Sequence, residues 1–406
     1  MRWMLLATVV LLAGCTAPGS APSASPTHRS SLPPLSIASS SPTPSPGATP
    51  SPTPTAAPTP TPAPPPATGG PSPIATCHGS MAASHNYVLG TVAGDATVVV
   101  RDITDVASPT NVCTIAGNPA GIRFVNEGRI AYLDGSGRVI SEGLGDAAGD
   151  VRVEATAVNG FGSRFAFSPD GRSITYIAGD NTWHLKTPAG DRVLATMPAV
   201  PGRGVNQDED DYFLGYSPDG QYFGLVQTFR TGGTGETAAD QVRRASDGGL
   251  VFSTSGMTMA VWSSQPSRLF YRDTAGTMKR WDASAGQSDM LALHWLRPSS
   301  SPDGRWIAYG FRSPGGDGVG FYGVQSNSVA NTSPPGRFGG VFLNNNLVWY
   351  QGDRPCVEAD NCGIGGPSIP TGRTYIYDLA GASETPSRLT SVFDVWPHLT
   401  APPGFG

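Results

Sequence analysis

Charge is scarce in this chain: only 14 % of its 406 residues are Asp, Glu, Lys or Arg, and the net charge at pH 7 is −5. No basic field is available to hold a nucleic-acid backbone, and no long acidic tract marks a solvating tail. Long apolar runs are lacking too: the stretch Met4–Ala13 is too short to span a bilayer stably. HExxH and GxSxG are absent, as is any His pair at helical ligand spacing, which removes the usual zinc-hydrolase and α/β-hydrolase signatures. No S-x-D-x-G-x-T-W phrase occurs either. What is plentiful is punctuation, with 52 Gly and 39 Pro. Such a composition dictates many turns and short strands rather than a helical body.

The N-terminus combines Arg2, the apolar stretch Met4–Ala13 and the sequence Leu12-Ala13-Gly14-Cys15. This resembles the lipobox of bacterial lipoproteins. The resemblance implies that residues 1–14 are a signal peptide, removed when the Cys15 thiol is acylated. The membrane partner is then lipid held through Cys15, and the protein is extracytoplasmic, lipid-anchored to the cell membrane or envelope. Residues 15–73 are dominated by Pro, Ser, Thr and Ala, in tracts such as SPTPSPGATPSPTPTAAPTPTPAPPP. Too little apolar surface is present to fold, and repeated Pro favours polyproline II at about 3.1 Å per residue, a reach on the order of 150 Å. This reads as a disordered stalk; its Ser and Thr density suits either O-glycosylation or a bare spacer.

Residues 74–406 carry a repeat. Phe167-Ser-Pro-Asp-Gly-Arg-Ser-Ile-Thr-Tyr176, Tyr216-Ser-Pro-Asp-Gly-Gln-Tyr-Phe-Gly-Leu225 and Ser300-Ser-Pro-Asp-Gly-Arg-Trp-Ile-Ala-Tyr309 are three copies of one phrase. Pro presets φ, Asp caps the local backbone and Gly takes positive φ, so the phrase is a hairpin turn between two strands. Degenerate copies run Phe124–Tyr132, Trp262–Tyr271 and Phe342–Tyr350, the first and last one residue shorter. The closing residues Tyr132, Tyr176, Leu225, Tyr271, Tyr309 and Tyr350 stand 38 to 49 residues apart, the period of a four-stranded blade. Tyr87, 45 residues before Tyr132, closes a seventh copy that lacks its first strand. Ser391–Trp396 is a strand with no blade of its own. The predicted fold is therefore all-β: a seven-bladed β-propeller of four-stranded antiparallel blades, closed by strands from both termini.

The Ser-Pro-Asp-Gly phrase resembles the PD40 repeat of TolB-like and WD40-like propellers. That group includes protein-binding partners of envelope systems and propeller domains of serine peptidases; the hydrolase signature of the latter is missing here. The resemblance implies a fold more than a function. The sequence favours a binding or scaffold propeller, recognising a protein or glycan ligand of the envelope, over an enzyme. The alternative is a polysaccharide-acting lyase or glycosidase with its site in the central channel. It would need two acidic groups, or an Asp with a His or Tyr, converging there.

Apart from Cys15, four cysteines remain: Cys77, Cys113, Cys356 and Cys362. An even number in an exported chain predicts disulfides, Cys77 to Cys113 and Cys356 to Cys362. Two long insertions are candidate binding loops: 229–239, with Thr231 and Glu236, and 351–371, with Arg354, Glu358, Asp360 and Asn361. The acidic run holding Asp208, Asp210 and Asp211 precedes the strand Tyr212–Tyr216, and as a loop its oxygen ligands would suit calcium. His78 and His85 are the weaker candidates for zinc. No catalytic residue and no other cofactor is indicated.

Overall fold

A computed structural model describes residues 70–158, 164–196, 207–231, 234–237, 240–254, 257–263, 267–273, 275–289, 295–312, 317–355 and 368–397. All strands lie in the unit Ala67–Gly406. They form seven antiparallel sheets, one per blade. Blade 2 runs Ala120–Asn126, Arg129–Leu133, Val139–Gly143 and Val151–Ala155 from first strand to last. Blade 3 is Phe165–Phe167, Ile174–Ile177, Thr182–Thr187 and Gly190–Thr196. Blade 4 is Gln207–Tyr216, Tyr222–Thr231, Asp240–Arg244 and Leu250–Thr254, with Thr234–Thr237 added beside the second strand. Blade 5 is Thr258–Ser263, Arg268–Arg272, Met278–Asp282 and Gly286–Asp289. Blade 6 is Leu296–Ser300, Trp306–Phe311, Gly318–Gly323 and Ser328–Thr332. Blade 7 is Arg337–Phe342, Leu347–Pro355, Ser368–Asp378 and Ser383–Pro386.

Blade 1 is built from both ends of the chain. Its first strand is Leu389–Trp396, paired with Tyr87–Val92, then Asp95–Asp102 and Thr110–Ile115. A fifth strand, Ala75–Cys77, lies outside Thr110–Ile115, where Cys77 faces Cys113 in register and is disulfide-bonded to it. The buried Glu142 of blade 2 accepts the backbone N–H groups of Ile74 at 3.0 Å and Ala75 at 2.8 Å, so the first strand of the chain is held from two sides.

Strand residues alternate because one side meets the neighbouring blade: in Thr182–Thr187, Trp183 and Leu185 are buried and their neighbours only partly so. The core is accordingly divided among the blade interfaces. Each of seven hydrophobic clusters draws residues from two adjacent blades. The one joining Val341, Leu343 and Trp349 of blade 7 to Val88, Val392 and Val395 of blade 1 closes the ring. Burial of this kind, at about 25 cal/mol per Å² of apolar surface, supplies the main favourable term.

The Ser-Pro-Asp-Gly phrase does join the first and second strands of its blade. Gly171, Gly220 and Gly304 have φ of 68°, 69° and 67°, the left-handed region the turn requires. The serine has a structural task that composition does not reveal. In blade 6, Ser301 is buried; its Oγ donates to Asp303 Oδ1 at 2.7 Å and accepts the N–H of Trp306 at 3.0 Å. Ser168 and Ser217 repeat the arrangement.

Every blade repeats one meander, so all the first-to-second turns open on one face of the ring. The second-to-third connections open on the other, the face on which three of the candidate segments lie. Asp208, Asp210 and Asp211 lie within the strand Gln207–Tyr216, not in a loop before it, because its backbone pairs with the second strand as far as Gln207 opposite Thr231. The 229–239 insertion is a hairpin rather than an open loop: Thr231 ends one strand and Glu236 lies in the next, with Thr231 opposite Thr234. The 351–371 insertion likewise begins and ends as ladder, with Arg354 opposite Ile369. In each case the main chain stays paired because unpaired N–H and C=O groups are costly.

Candidate functional site

A depression of about 250 Å³ opens on the face that carries the Ser-Pro-Asp-Gly turns, lined by Asn86, Pro302, Asn344, Asn345, Asn346 and Pro397. These residues come from the first-to-second connections of blades 6 and 7 and from the matching ends of the first two strands of blade 1. Blade 7 supplies three successive asparagines because its copy of the repeat replaces Ser-Pro-Asp-Gly with Asn344-Asn345-Asn346. The Oδ1 of Asn344 accepts the N–H of Asn346 and of Leu347, each at 2.9 Å. The Oδ1 of Asn345 accepts the N–H of Asp303, also at 2.9 Å, and so ties blade 7 to blade 6. A main-chain N–H only donates, so the orientation of both amides is fixed. Their Nδ2 groups remain as donors, a set suited to hydroxyl or carbonyl oxygens of a ligand.

His85 immediately precedes Asn86. Its Nδ1 lies 2.5 Å from Asp102 Oδ2, and the imidazole is 41 % exposed. Burial would raise the Asp102 carboxyl, but the Thr104 N–H and His85 hold it below the usual range. Tyr87 stacks against the imidazole, with ring centroids 6.2 Å apart. Orientation by a carboxylate at Nδ1 leaves Nε2 to exchange protons. Among the described residues no group of three or more His, Cys, Asp or Glu gathers to hold a metal ion. His85 has its carboxylate partner in Asp102.

The innermost strands carry a second set of charged residues. Arg123 is buried over the Phe165 ring at 4.7 Å, and burial lowers its pKa against the opposing pull of Asp394. Asp394 accepts the N–H of Phe124 at 2.7 Å. Arg297 lies over Phe338 at 4.7 Å and adopts φ 45° at a bulge in its strand. The buried carboxylates hold main chain: Asp240 takes the N–H of Met257 at 2.6 Å, and Asp282 that of Ala285 at 2.5 Å. His184, in its strand, stacks on Tyr176 at 4.8 Å and meets Asp191 at 3.2 Å.

Of the residues singled out in the sequence, Cys77 and Cys113 are brought together. Thr231, Glu236 and Arg354 lie on the projecting hairpins of the opposite face, Arg354 exposed. Cys15, Cys356, Glu358, Asp360, Asn361 and Cys362 fall outside the described residues. Sequence reading passed over Asn86 and Asn344–Asn346; the available signal was the departure of the blade 7 copy from its phrase at three amides in a row.

No family model matches the chain, and no curated protein does. Solved structures with similar folds include TolB from Acinetobacter baumannii, at 18 % identity over 62 % of this chain and 63 % of that one, with a TM-score of 0.38. Oligogalacturonate lyase from Vibrio parahaemolyticus matches at 10 % identity over 78 % of this chain and 86 % of its own, TM-score 0.49. A putative 6-phosphogluconolactonase from Bacteroides fragilis matches at 12 % identity over 77 % and 97 %, TM-score 0.48. The chain thus spans less than two thirds of the Acinetobacter TolB. At such identities the likeness is one of fold, and the fold defines the class: a seven-bladed β-propeller.

Proposed function

We propose that this chain is a binding propeller displayed from the membrane, its Cys15 acylated, its stalk carrying the ring outward and its ligand a protein or glycan of the envelope. No helix among the described residues is long and apolar enough to cross a membrane. The observation that carries the binding reading is the asparagine-lined depression, whose amide donors are aimed by hydrogen bonds to Asp303, Asn346 and Leu347. Preformed donors lower the ordering cost of recognition. The test is surface plasmon resonance of the full chain against envelope glycan fragments and envelope proteins, repeated with Asn344→Asp and Asn345→Asp. Each substitution keeps the Oδ1 acceptor that holds the turn and removes the Nδ2 donor. A ligand of this site loses at least tenfold in affinity; a ligand bound equally by both variants places recognition elsewhere. Labelled fatty acid should be incorporated by the parent chain and not by Cys15→Ser, and incorporation by the variant would refute the anchor.

A second reading rests on His85 and Asp102. An exposed imidazole oriented by a carboxylate beside a polar depression is the arrangement of a general base, which would serve a polysaccharide lyase or glycosidase. Here His85 stands just before the second strand of blade 1 and Asp102 ends the third. Product release from uronate-containing and neutral polysaccharides, abolished by His85→Gln, would support it. No turnover of any substrate on such a panel counts against it.

A further inference from the structure

We infer that the seam between blades 5 and 6 binds a singly charged oxyanion, a phosphodiester or a carboxylate, through Arg268 and Arg280. Arg268 opens the second strand of blade 5 and Arg280 lies in the third. In the ladder Arg268 faces Asp282 and Phe270 faces Arg280, so both arginines share a sheet face with Phe270 as diagonal neighbours. That face meets blade 6: Phe270 packs with Trp295, Ile307 and Tyr322, and its ring stands edge-on to Tyr322 at 6.2 Å. Both guanidinium charges bear on the Tyr322 hydroxyl, drawing its pKa down against a burial that pushes it up to about 12.

Among the described residues neither arginine has an acceptor for its buried Nε–H. Nor does either make an ion pair among the described residues, whereas Arg129, Arg138, Arg152, Arg244, Arg305 and Arg337 each hold a carboxylate. The acid nearest in register is Asp282. It feels the Arg280 charge, but its Oδ1 is spent on the N–H of Ser284, the Ser284 hydroxyl and the N–H of Ala285. The Tyr322 hydroxyl donates to Asn327. Ser267, next to Arg268 in the chain, also has a buried Oγ without a partner.

A half-buried guanidinium with an unmet Nε–H is costly, and two of them side by side repel. One oxyanion accepting from both forks relieves each cost at once, in the bidentate geometry that guanidinium offers to phosphate and carboxylate alike. Two arginines against the single nearby Asp282 leave one net positive charge, which matches a monoanion. Neither arginine lines the asparagine-lined depression, and the inference does not depend on it.

The test is calorimetric titration of the full chain at low ionic strength with dimethyl phosphate and, separately, with glucuronate. Arg268→Met, Arg280→Met and the double variant are titrated alongside, with Arg305→Met, whose parent side chain pairs with Asp303, as control. The expected result is saturable binding of one or both probes, weakened at least tenfold by Arg268→Met and by Arg280→Met, abolished in the double and unchanged in the control. The probe that binds identifies the source, polymer phosphodiester or uronate. Melting temperature gives an independent readout. Without anion, the Met variants should melt no lower than the parent, because an uncompensated charge has gone; with anion, only parent and control should gain stability. Saturable binding of neither probe, or equal binding by the double variant, overturns the inference. So does a fall in melting temperature of the Met variants that anion does not modulate, since the arginines would then be structural.

Discussion

The carboxylate of Asp394, on the last strand of the ring, accepts the backbone N–H of Phe124 at 2.7 Å from the first strand of blade 2. It also faces the buried Arg123, so one side chain from the C-terminus fixes two neighbours that precede it by about two-thirds of the chain. Replacing Asp394 by Ala would leave a buried N–H without an acceptor and a buried cation without its counter-charge. The expected cost is about 3 kcal/mol or more. Urea unfolding would measure it, and Asp394→Asn, which keeps an acceptor, should recover part of the loss. Equal stability of parent and Ala variant would dismiss this latch.

Ser301 and Gly304 bear on the repeat itself. Ser301→Ala removes a buried hydroxyl that serves both Asp303 and the Trp306 N–H, and should cost about 1–3 kcal/mol. Gly304→Ala puts a Cβ on a residue at φ 67°, with an expected cost of about 1–2 kcal/mol. Denaturant midpoints should fall in both variants. An unchanged midpoint in either would mean that the turn is decorative.

The bond between Cys77 and Cys113 secures a three-residue strand, Ala75–Cys77, together with Glu142. Cys77→Ala with Cys113→Ala should lower stability by roughly 2–4 kcal/mol. It should also expose the segment before Tyr87 to protease while the rest of the ring resists. Mass spectrometry of a limited digest reads this directly; uniform resistance would show that Glu142 alone retains the strand.

Acid should loosen blade 7. Arg337 donates to Glu384 through Nη2 at 2.6 Å and Nε at 2.8 Å, and the Tyr350 hydroxyl donates at 2.6 Å. Burial would raise the Glu384 pKa, but these hydrogen bonds, Arg337 first, bring it below its ordinary 4.5. A lowered folded-state pKa means that the contribution is complete above pH 4.5 and is lost as pH falls through the lower folded value. Melting temperature recorded from pH 6 downward should therefore decline more steeply for the parent than for Glu384→Gln. Parallel curves would exclude Glu384 as a source of acid lability.

The architecture was legible because it is written in local chemistry. Gly304 and Pro302 force a turn wherever they occur, and alternation such as that around Trp183 marks a strand with one side buried. Spacing of the copies gave the number of blades, and an orphan strand at Ser391–Trp396 gave the closure. The strand form of Asp208–Asp211 and of Thr234–Thr237 was not legible in the same way, because each becomes a strand only by pairing with Tyr222–Thr231.

By itself, then, the sequence determined the repeat, the ring and the turn that each phrase makes, since these follow from residues within a few positions of one another. Only the tertiary structure decided which side chains meet. Asn86 joins Asn344–Asn346 around one depression, His85 finds Asp102, and Arg268 and Arg280 converge on Tyr322 because adjacent strands and adjacent blades bring them together. No spacing along the chain encodes those meetings; they are set by strand register and by the packing of one blade on the next.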